Sequence, residues 1–469
     1  EELSPTASRP VRSPQRLTVT MAARDVYVFR HCVRSTSFNV KHTGMDAAFI
    51  HAEDFTDLPL PQWGTPENWC TEGGEALIEG TGQQVAGWLA SQGIGDFSIV
   101  ADPVLRDADT AMALLKGLGG TGNVRFDPLL FDTLGPEVGA PLCSASYDED
   151  ELHEAVSARL ASVPMPSSLE AAVALVTELV GVGRAGSLSS AVPVRVSSGG
   201  ALEGAPNVIK RVAQQIFYAF ASGVAYPLHR NVTTAELYQL IAWQHWCRSV
   251  GKAYNAQYAT ANAALLHAVL SALSPPAIRS APAPPAPHAS IFVGHDGNLD
   301  GLATLLDLEW EAPPYVGGAS LLPTPPGSAL RFRTDGAAAG DARVEVSFVH
   351  PVPTTAGGGR NSSGLLESVP LLTLTLGNLG GRAQAALQRY PSAHACFEKA
   401  AAHWPPTAAG MSSSGELEIS RGGGYILSAV LGALLMVVVL VGVVGARDPR
   451  RLMMTAARDR EQPHLAMIR

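Results

Sequence analysis

Charged residues are scarce in this chain, and positive charge is the scarcer kind. Only 16% of the 469 residues are charged, and the formal net charge is −9 with a pI of about 5.8. Without a basic field, the sequence does not predict a nucleic-acid partner. An apolar share of 46% excludes a disordered chain, which needs low hydrophobicity. This length suits two or three domains.

Several well-known site motifs are also missing. There is no HExxH, P-loop or GxSxG element. The cysteines form no CxxC pair, which argues against a zinc site and permits one or two disulfides with an odd thiol. The five cysteines are Cys32, Cys70, Cys143, Cys247 and Cys396. The sequence therefore predicts neither a metal nor a cofactor.

One hydrophobic run departs from this composition. It extends from Tyr425 to Ala446 without a charge, and a helix of that length spans about 33 Å, enough to cross a bilayer. Arginines follow it closely, at positions 447, 450 and 451. By the positive-inside rule, the tail 447–469 is predicted to be cytosolic and residues 1–424 to lie outside or in a lumen. We expect a single-pass type I membrane protein of the cell surface or of a lysosome-like or vacuole-like organelle.

Export to that side needs a signal peptide, and residues 1–20 contain no apolar stretch of the kind a signal peptide has. We expect either that the signal has been removed or that the N-terminus is incomplete. Two sequons, at Asn231 and Asn361, predict a glycoprotein.

The middle of the chain alternates between strands and helices. Short apolar strands are predicted at 24–30, 97–101 and 289–293, with helices at 75–91 and 107–118. This alternation indicates a mostly parallel sheet with helices on both faces.

A helical stretch interrupts the α/β pattern. We expect an α/β core of residues 21–148 and 289–400, with a helical insertion at 149–288 that includes a Pro-rich return linker. Within the insertion, Thr233 and Glu236 form a predicted capping box. Later strands are predicted at 330–332, 344–349 and 371–376, followed by a juxtamembrane stalk at 401–424.

Ionisable side chains follow the first strand directly. Arg30, His31 and Arg34 come at its carboxyl end, where open α/β sheets bind ligands. Guanidinium groups match phosphate oxygens, and an imidazole between them can attack phosphorus. On spacing alone, the same string could be a solvated loop.

A second cluster favours the phosphate interpretation. His295 and Asp296 follow the strand 289–293 and precede an apolar helix, whose N-terminus favours anions. Arg106 is a third candidate, just beyond the strand 97–101.

These two ordered motifs resemble those of the histidine acid phosphatases. Residues 30–34 are similar to the signature Arg-His-Gly-x-Arg-x-Pro, and residues 294–299 are similar to the His-Asp-x-Asn element. The resemblance extends from about Arg24 to Cys396 and is greatest for bacterial periplasmic phytases and glucose-1-phosphatases. Further matching stretches occur in the family's order at 71–74, 104–110, 216–223, 305–310 and 325–327.

The resemblance implies a phosphoglycerate-mutase-like fold and the hydrolysis of small phosphomonoesters. It implies that His31 is the nucleophile, which forms a phosphohistidine, and that Asp296 protonates the leaving alkoxide at acidic pH. It also implies that Arg30, Arg34, Arg106 and His295 bind the phosphoryl oxygens. Finally, it implies a disulfide between Cys143 and Cys396.

Three positions depart from the family pattern. Cys32 stands where the family has Gly, and we expect it either to crowd the pocket or to shift His31. Thr36 replaces the family's Pro, and Gly297 replaces its Thr or Ser, which could loosen Asp296.

The alternatives stay open at this stage. A catalytically inactive ectodomain that binds a phosphorylated ligand fits the change at Cys32, and a mutase-like transferase is a weaker candidate. Side chains between 41 and 53 are possible pocket contacts, namely Lys41, His42, His51 and Glu53. Trp243, His245 and Trp246 are predicted to be packing residues. The sequence leaves both the particular substrate and the oligomeric state open.

Overall fold

A seven-stranded sheet lies at the centre of the protein, as seen in a computed structural model. The described part of the chain belongs to one unit, Glu1–Pro405. The residues that the structure describes are 23–36, 56–59, 61–120, 122–131, 148–182, 193–274, 288–337, 341–352 and 365–403.

Helices outnumber strands in the described residues. The strands are β1 (Arg24–Arg30), β2 (Phe97–Ala101), β3 (Val124–Phe126), β4 (Arg195–Val196), β5 (Leu202–Glu203), β6 (Ala289–Gly294), β7 (Ala329–Thr334), β8 (Arg343–Pro351) and β9 (Leu366–Thr375). The helices are α1 (Glu72–Ser91), α2 (Leu105–Gly117), α3 (Glu149–Ser162), α4 (Leu169–Val180), α5 (Ala205–Ser222), α6 (Thr234–Lys252), α7 (Ala256–Ala261), α8 (Ala263–Leu273), α9 (Asp296–Leu306), α10 (Leu376–Arg389) and α11 (Pro391–His403).

The strand order of the large sheet is β3-β2-β6-β1-β7-β8-β9. The first four strands are mutually parallel, whereas β7 is antiparallel to β1, β8 to β7 and β9 to β8. Five strands therefore run in one direction and two in the other, which confirms a mostly parallel sheet. The antiparallel half of the sheet was not predicted.

Strand β1 lies in the middle of the sheet, and all seven of its residues are buried there. Val26 and Val28 face one side and belong to the larger apolar core, which includes residues of α8 and α9. Tyr27 and Phe29 face the other side and join a second core with residues of α1 and α2. Helices thus cover both faces of the sheet, as predicted, and the strand sequence shows no polar face.

Capping side chains set where the helices begin. Thr71 caps α1, because its hydroxyl accepts a 3.0 Å hydrogen bond from the Gly74 amide. This helix therefore begins three residues before the predicted start. The predicted capping box of α6 is confirmed, with Thr233 and Glu236 bonded in both directions.

Helices α3 to α8 and the β4–β5 hairpin occupy the chain between β3 and β6. Helices α5 and α6 pack against one another, and α8 packs on β1. The predicted return linker 275–287 lies outside the described residues. The strand predicted at 371–376 runs from Leu366 to Thr375, where the Thr375 hydroxyl caps α10. The sequence analysis predicted neither α10 nor α11.

The cysteine predictions have separate outcomes. A disulfide joins Cys32 to Cys70, and Cys247 is a buried free thiol. Cys396 also takes part in a disulfide. Cys143 lies outside the described residues, so the predicted Cys143–Cys396 pair stays a prediction.

Of the predicted stalk, hydrophobic run and tail, residues 401–403 form the end of α11, and residues 404–469 lie outside the described residues. Among the helices that the structure does describe, none combines the length and the apolar character needed to cross a membrane.

Candidate active site

The two predicted motifs meet at one edge of the sheet. Strands β1 and β6 are parallel neighbours, and Arg30 pairs with Gly294 at their carboxyl ends. The His31 amide donates a 2.8 Å hydrogen bond to the Gly294 carbonyl, and the Gly327 amide donates one of 3.1 Å to the His31 carbonyl. Backbone bonds on both sides therefore fix the position of His31.

The ring of His31 is oriented by its own chain. Its Nδ1 lies 2.8 Å from the Cys32 carbonyl oxygen, which can only accept, so Nδ1 carries the proton and Nε2 keeps a lone pair. The residue is only 5% exposed. Burial, followed by the charges of Arg106 and Arg30, lowers the pKa of His31 well below its usual value. The imidazole is thus neutral, as a nucleophile requires.

Arg30 is buried and held from three sides. Its guanidinium donates to the Thr324 carbonyl and, over 2.6 Å, to the Tyr218 hydroxyl. A carboxylate oxygen of Asp296 lies 3.4 Å from the same Nη2 atom. These contacts aim the guanidinium along the edge where the strands end.

Arg34 lies beside the same edge. Its Nη1 donates to the Asn68 side-chain oxygen at 2.8 Å and to the Ser35 carbonyl at 3.0 Å. Burial lowers the pKa of Arg34 to about 10, and the neighbouring Arg106 and Arg30 add to that effect. A guanidinium that is buried beside two others favours an anion as its ligand.

His295 bridges a guanidinium and two carboxyl groups. Its Nδ1 lies 3.2 Å from Nη2 of Arg106, which can only donate, so Nε2 carries the proton. Nε2 lies 3.1 Å from Asp102 and 3.4 Å from Asp107. Burial, then Arg106, lowers the pKa of His295 to about 4. The rings of His295 and His31 meet edge to face at 5.5 Å.

Asp102, Asp107 and His295 are the described residues with the geometry of a metal site. Their ligand atoms lie within 4.8 Å of one another. The guanidinium of Arg106 lies against this group, with its Nε atom 3.9 Å from Asp107. Burial raises the pKa of Asp107 well above its usual value. Because a guanidinium already supplies positive charge here and one acid favours its neutral form, the group fits a proton better than a metal ion.

Asp296 is the first residue of α9 and is paired with two cations. Its carboxylate lies 3.2 Å from Nζ of Lys252 and 3.4 Å from Arg30. Burial on its own would raise the pKa of Asp296, but Lys252, Arg30 and Arg248 outweigh it and hold this pKa well below its usual value. These cations therefore keep the carboxyl group of Asp296 ionised.

Cys32, which stands where the family has Gly, forms a disulfide, and its effect on the pocket and on His31 stays a prediction. Its sulfur is bonded to Cys70 and lies under the start of α2, near the Arg106 carbonyl. The glycine at position 297 is explained by local packing, because a Cβ there would lie only 3.2 Å from the Tyr258 ring. The glycine lets α7 approach the start of α9.

The structure brings the six predicted site residues into one cluster. Arg30 contacts Asp296, His31 contacts His295, and His295 contacts Arg106, while Arg34 is electrostatically coupled to Arg30, Arg106 and Asp296. The candidates Lys41, His42, His51 and Glu53 lie outside the described residues. Trp243, His245 and Trp246 are buried in α6, as predicted for packing residues.

Sequence reasoning missed four residues of the site: Tyr218, Lys252, Asp102 and Asp107. Asp102 follows the buried strand β2 directly, the same signal that identified Arg30 and His31. Tyr218 and Asp107 lie in stretches that carried the family resemblance. Lys252 had no such signal, because it lies at the end of helix α6 and neither follows a strand nor belongs to a family motif.

Solved bacterial phytases share this fold. Hafnia alvei phytase superposes with a TM-score of 0.62 at 21% identity, over 80% of this chain and 98% of its own. Citrobacter braakii phytase gives 0.60 at 18% identity, over 80% of this chain and 98% of its own. Klebsiella sp. ASR1 phytase gives 0.57 at 16% identity, over 79% of this chain and 97% of its own. The phytases' chains are thus covered almost completely.

At these identities the likeness establishes the fold of the chain. One of the Hafnia alvei phytase structures is a complex with myo-inositol hexakis sulphate. Comparisons with family models and with curated proteins gave no match.

Proposed function

We propose that this chain is a histidine acid phosphatase that hydrolyses small phosphomonoesters through a phosphohistidine at His31. One observation carries the proposal: a buried, neutral histidine, whose Nδ1 bonds a backbone carbonyl and leaves Nε2 with a lone pair, is electrostatically coupled to Arg30, Arg34 and Arg106 at the end of a parallel strand. The arginines supply the charge that a transferring phosphoryl group needs. The shared fold of the bacterial phytases supports the same activity.

In the first step, Nε2 of His31 forms a bond to phosphorus while the bond from phosphorus to the leaving oxygen breaks. Asp296 gives its proton to that oxygen, so the alcohol leaves neutral. Arg30, Arg34 and Arg106 hold the three remaining oxygens.

In the second step, water attacks the phosphohistidine. The bond between nitrogen and phosphorus breaks and its electron pair returns to Nε2, while the ionised Asp296 takes the proton of the water. Inorganic phosphate is released and both side chains regain their starting state, as covalent catalysis requires.

The first step needs a protonated Asp296, whereas the neighbouring cations Lys252 and Arg30 favour its ionised form. A bound phosphate ester places negative charge beside the carboxylate and competes for Arg30. Both effects favour protonation, because a like charge disfavours the ionised form. We therefore expect turnover at acidic pH.

The chemistry of the site and the fold together indicate which substrate to test first. The described site binds one phosphoryl group, and a phytase of the same fold holds an inositol hexasulfate. Phytate, myo-inositol hexakisphosphate, is accordingly the first physiological substrate to test, beside sugar and nucleotide phosphates.

The cellular location is a separate proposal. We propose that the core of residues 21–148 and 289–400 and the insertion 149–288 face away from the cytosol, anchored by the run from Tyr425 to Ala446. The disulfide between Cys32 and Cys70 supports an oxidising compartment. Protease protection in sealed vesicles tests this orientation, since a cytosolic catalytic part would be digested first.

A turnover assay of the purified full chain tests the function. Wild type should hydrolyse p-nitrophenyl phosphate between pH 3 and 8, and an alkaline quench should recover labelled phosphate on His31. His31→Ala should abolish turnover yet keep phosphate binding, because the arginines remain. An increase of Tm with inorganic phosphate would confirm that the variant is folded. Label on another residue would contradict the assignment.

The second candidate is an inactive phosphatase-like ectodomain that binds a phosphorylated ligand. The ionised state of Asp296 favours it, because an ionised acid cannot protonate a leaving group. The same assay separates the two candidates. Phosphate binding without turnover at any pH would establish the binder.

A further inference from the structure

Two ion pairs join helices α6 and α9, one helical turn apart. Lys252 lies 3.2 Å from Asp296, and Arg248 lies 2.5 Å from Asp300. Both cations are on α6 and both carboxylates are on α9, each pair four residues from the next. The pair of Lys252 and Asp296 lies at the active-site end, where α9 begins.

We propose that Lys252, through its ion pair with Asp296, is a positioning residue for the proton donor and sets the pH range in which Asp296 can protonate a leaving group. This inference rests on the proposed phosphatase function, and it adds a residue for which neither the motifs nor the proposed mechanism has a role.

The surroundings of Lys252 fix it in place. Its Nζ lies 5.5 Å above the ring of Tyr258, and its side chain is 34% exposed. Although burial on its own would lower the pKa of Lys252, Asp296 and Tyr258 raise it above its usual value. The lysine therefore stays charged whenever the site titrates.

Charged and titratable groups face Asp296 from every element packed around it. They are Arg30 and His31 with Arg34 from the end of β1, Lys210 from α5, His245, Arg248 and Lys252 from α6, Tyr258 from α7, and His295 and Asp300 around α9. Of the two cations that pair with Asp296, Lys252 is the nearer, at 3.2 Å against 3.4 Å for Arg30.

Lys252 differs from Arg30 in what substrate binding does to it. Arg30 belongs to the phosphoryl site, so an incoming phosphate ester competes with Asp296 for its guanidinium. Lys252 comes from α6, and it is not among the three arginines that the proposed mechanism assigns to the phosphoryl oxygens. It therefore keeps its effect on Asp296 through the catalytic cycle.

The direction of the effect follows from the charge. A nearby cation favours the ionised carboxylate, so removing Lys252 should raise the pKa of Asp296. The carboxyl group would then be protonated at higher pH, and the pH limit of activity on poor leaving groups should move upward.

The experiment compares pH profiles of kcat for the full chain with glycerol 2-phosphate, a phosphomonoester with a poor leaving group. In Lys252→Gln the limb that reports Asp296 should shift upward by about one pH unit or more. Lys252→Arg should restore most of the wild-type profile. Lys116→Gln, which removes a surface lysine from another carboxylate pair, is the matched control and should leave the profile unchanged.

Two results would overturn the proposal. An unmoved limb in Lys252→Gln, with wild type active, would show that the lysine does not set the proton occupancy of Asp296. A higher KM at every pH with an unchanged limb would make Lys252 a substrate-binding residue instead.

A titration that needs no turnover keeps this test separate from that of the proposed function. The 13C carboxyl signal of Asp296, assigned by its loss in Asp296→Asn, should titrate at higher pH in Lys252→Gln than in wild type. If the wild-type chain lacked turnover, this shift would still decide the proposal, and an identical titration in both proteins would refute it.

Discussion

Cys32, the residue after the candidate nucleophile, is covalently bonded to Cys70, the residue before the cap of α1. Thr71, next along the chain, donates from its amide and its hydroxyl to the Val33 carbonyl, at 3.0 and 3.1 Å. The loop that carries His31 and Arg34 is thereby fastened to a helix that contributes no predicted catalytic group. A Cβ on Gly74 would overlap the Val33 carbonyl, so this close approach also requires the glycine.

The disulfide should contribute substantially to stability. The two cysteines are 38 residues apart, and the chain-entropy model gives about 4 kcal/mol for such a loop. Urea unfolding of the double variant Cys32→Ser/Cys70→Ser should show a loss of that order. Cys247→Ala controls for the removal of a buried sulfur that is not cross-linked. A double variant within 1 kcal/mol of wild type would contradict the estimate.

Asp296→Asn should separate chemistry from binding. The amide keeps the shape of the side chain but supplies no proton, so sugar phosphates should lose about 10²–10⁴-fold in kcat. p-Nitrophenyl phosphate should lose much less, because nitrophenolate leaves without a proton. Steady-state kinetics on both substrates measures the difference.

Arg34→Ala is the contrasting variant. It removes a cation that is coupled to Arg30 and Arg106, so both substrates should slow together and phosphate should bind more weakly. Equal losses on both substrates for Asp296→Asn as well would rule out Asp296 as the acid.

The buried ion pair below the active site should be costly to break. Arg248 is 3% exposed and Asp300 is fully buried, and their pair measures 2.5 Å. Arg248→Met leaves a carboxylate without its partner and should cost about 3–5 kcal/mol in the free energy of unfolding. Adding Asp300→Leu should recover part of that loss. The exposed pair of Lys116 and Glu79 is the control, and Lys116→Met should change stability by less than about 1 kcal/mol.

Buried histidines should make the protein less stable in acid. Burial lowers the pKa of His31, His245 and His295. Below about pH 6.5 these histidines take up protons in the unfolded chain but stay neutral in the folded one. Their neutral state therefore costs no stability above that pH, and the free energy of unfolding decreases as the pH falls below it. For His295, with a pKa of about 4, the loss by pH 5 amounts to about 2 kcal/mol.

His245 isolates this effect from catalysis. It is 1% exposed, packs 5.5 Å from the Tyr315 ring, and neither ring nitrogen has a hydrogen-bond partner among the described residues. Tm of His245→Phe should fall less than that of wild type between pH 7 and pH 5. Parallel Tm curves for the two proteins would show that folding does not lower the pKa of His245.

The parallel part of the fold was predictable because β1 has no polar face and β2 is apolar except for Ser98. Strands β1 and β2 have the predicted bounds, since unbroken apolar runs between polar residues define a buried strand. Strand β3 has three half-buried residues, α10 follows β9 without a linker, and α11 follows α10 after a single residue. Such short or abutting elements depend on tertiary contacts that no local pattern contains.

The site was predictable for the same reason that the strands were. Arg30 ends the buried strand β1, His31 follows it directly, and Arg106 comes shortly after β2, so their position at the sheet edge comes from local sequence. The pairing of Cys32 with Cys70 and of Lys252 with Asp296 depends on how distant helices pack. One sequence offers no spacing rule for such contacts, so the disulfide partner of Cys32 was not predicted.

Strand β1 is synthesised long before β6 and β7, the two strands that pair with it in the sheet. Asp25 pairs with Ala289 on one side and with Arg333 on the other, so β1 stays unpaired until β6 and β7 have been made. Until they emerge, Val26 to Phe29 form an exposed apolar strand with two unpaired edges, the kind of segment that aggregates. Contacts this distant in sequence also slow folding. A ribosome-bound or truncated chain that stops before β6 therefore contains His31 but no catalytic site, and it needs a chaperone more than the finished protein does.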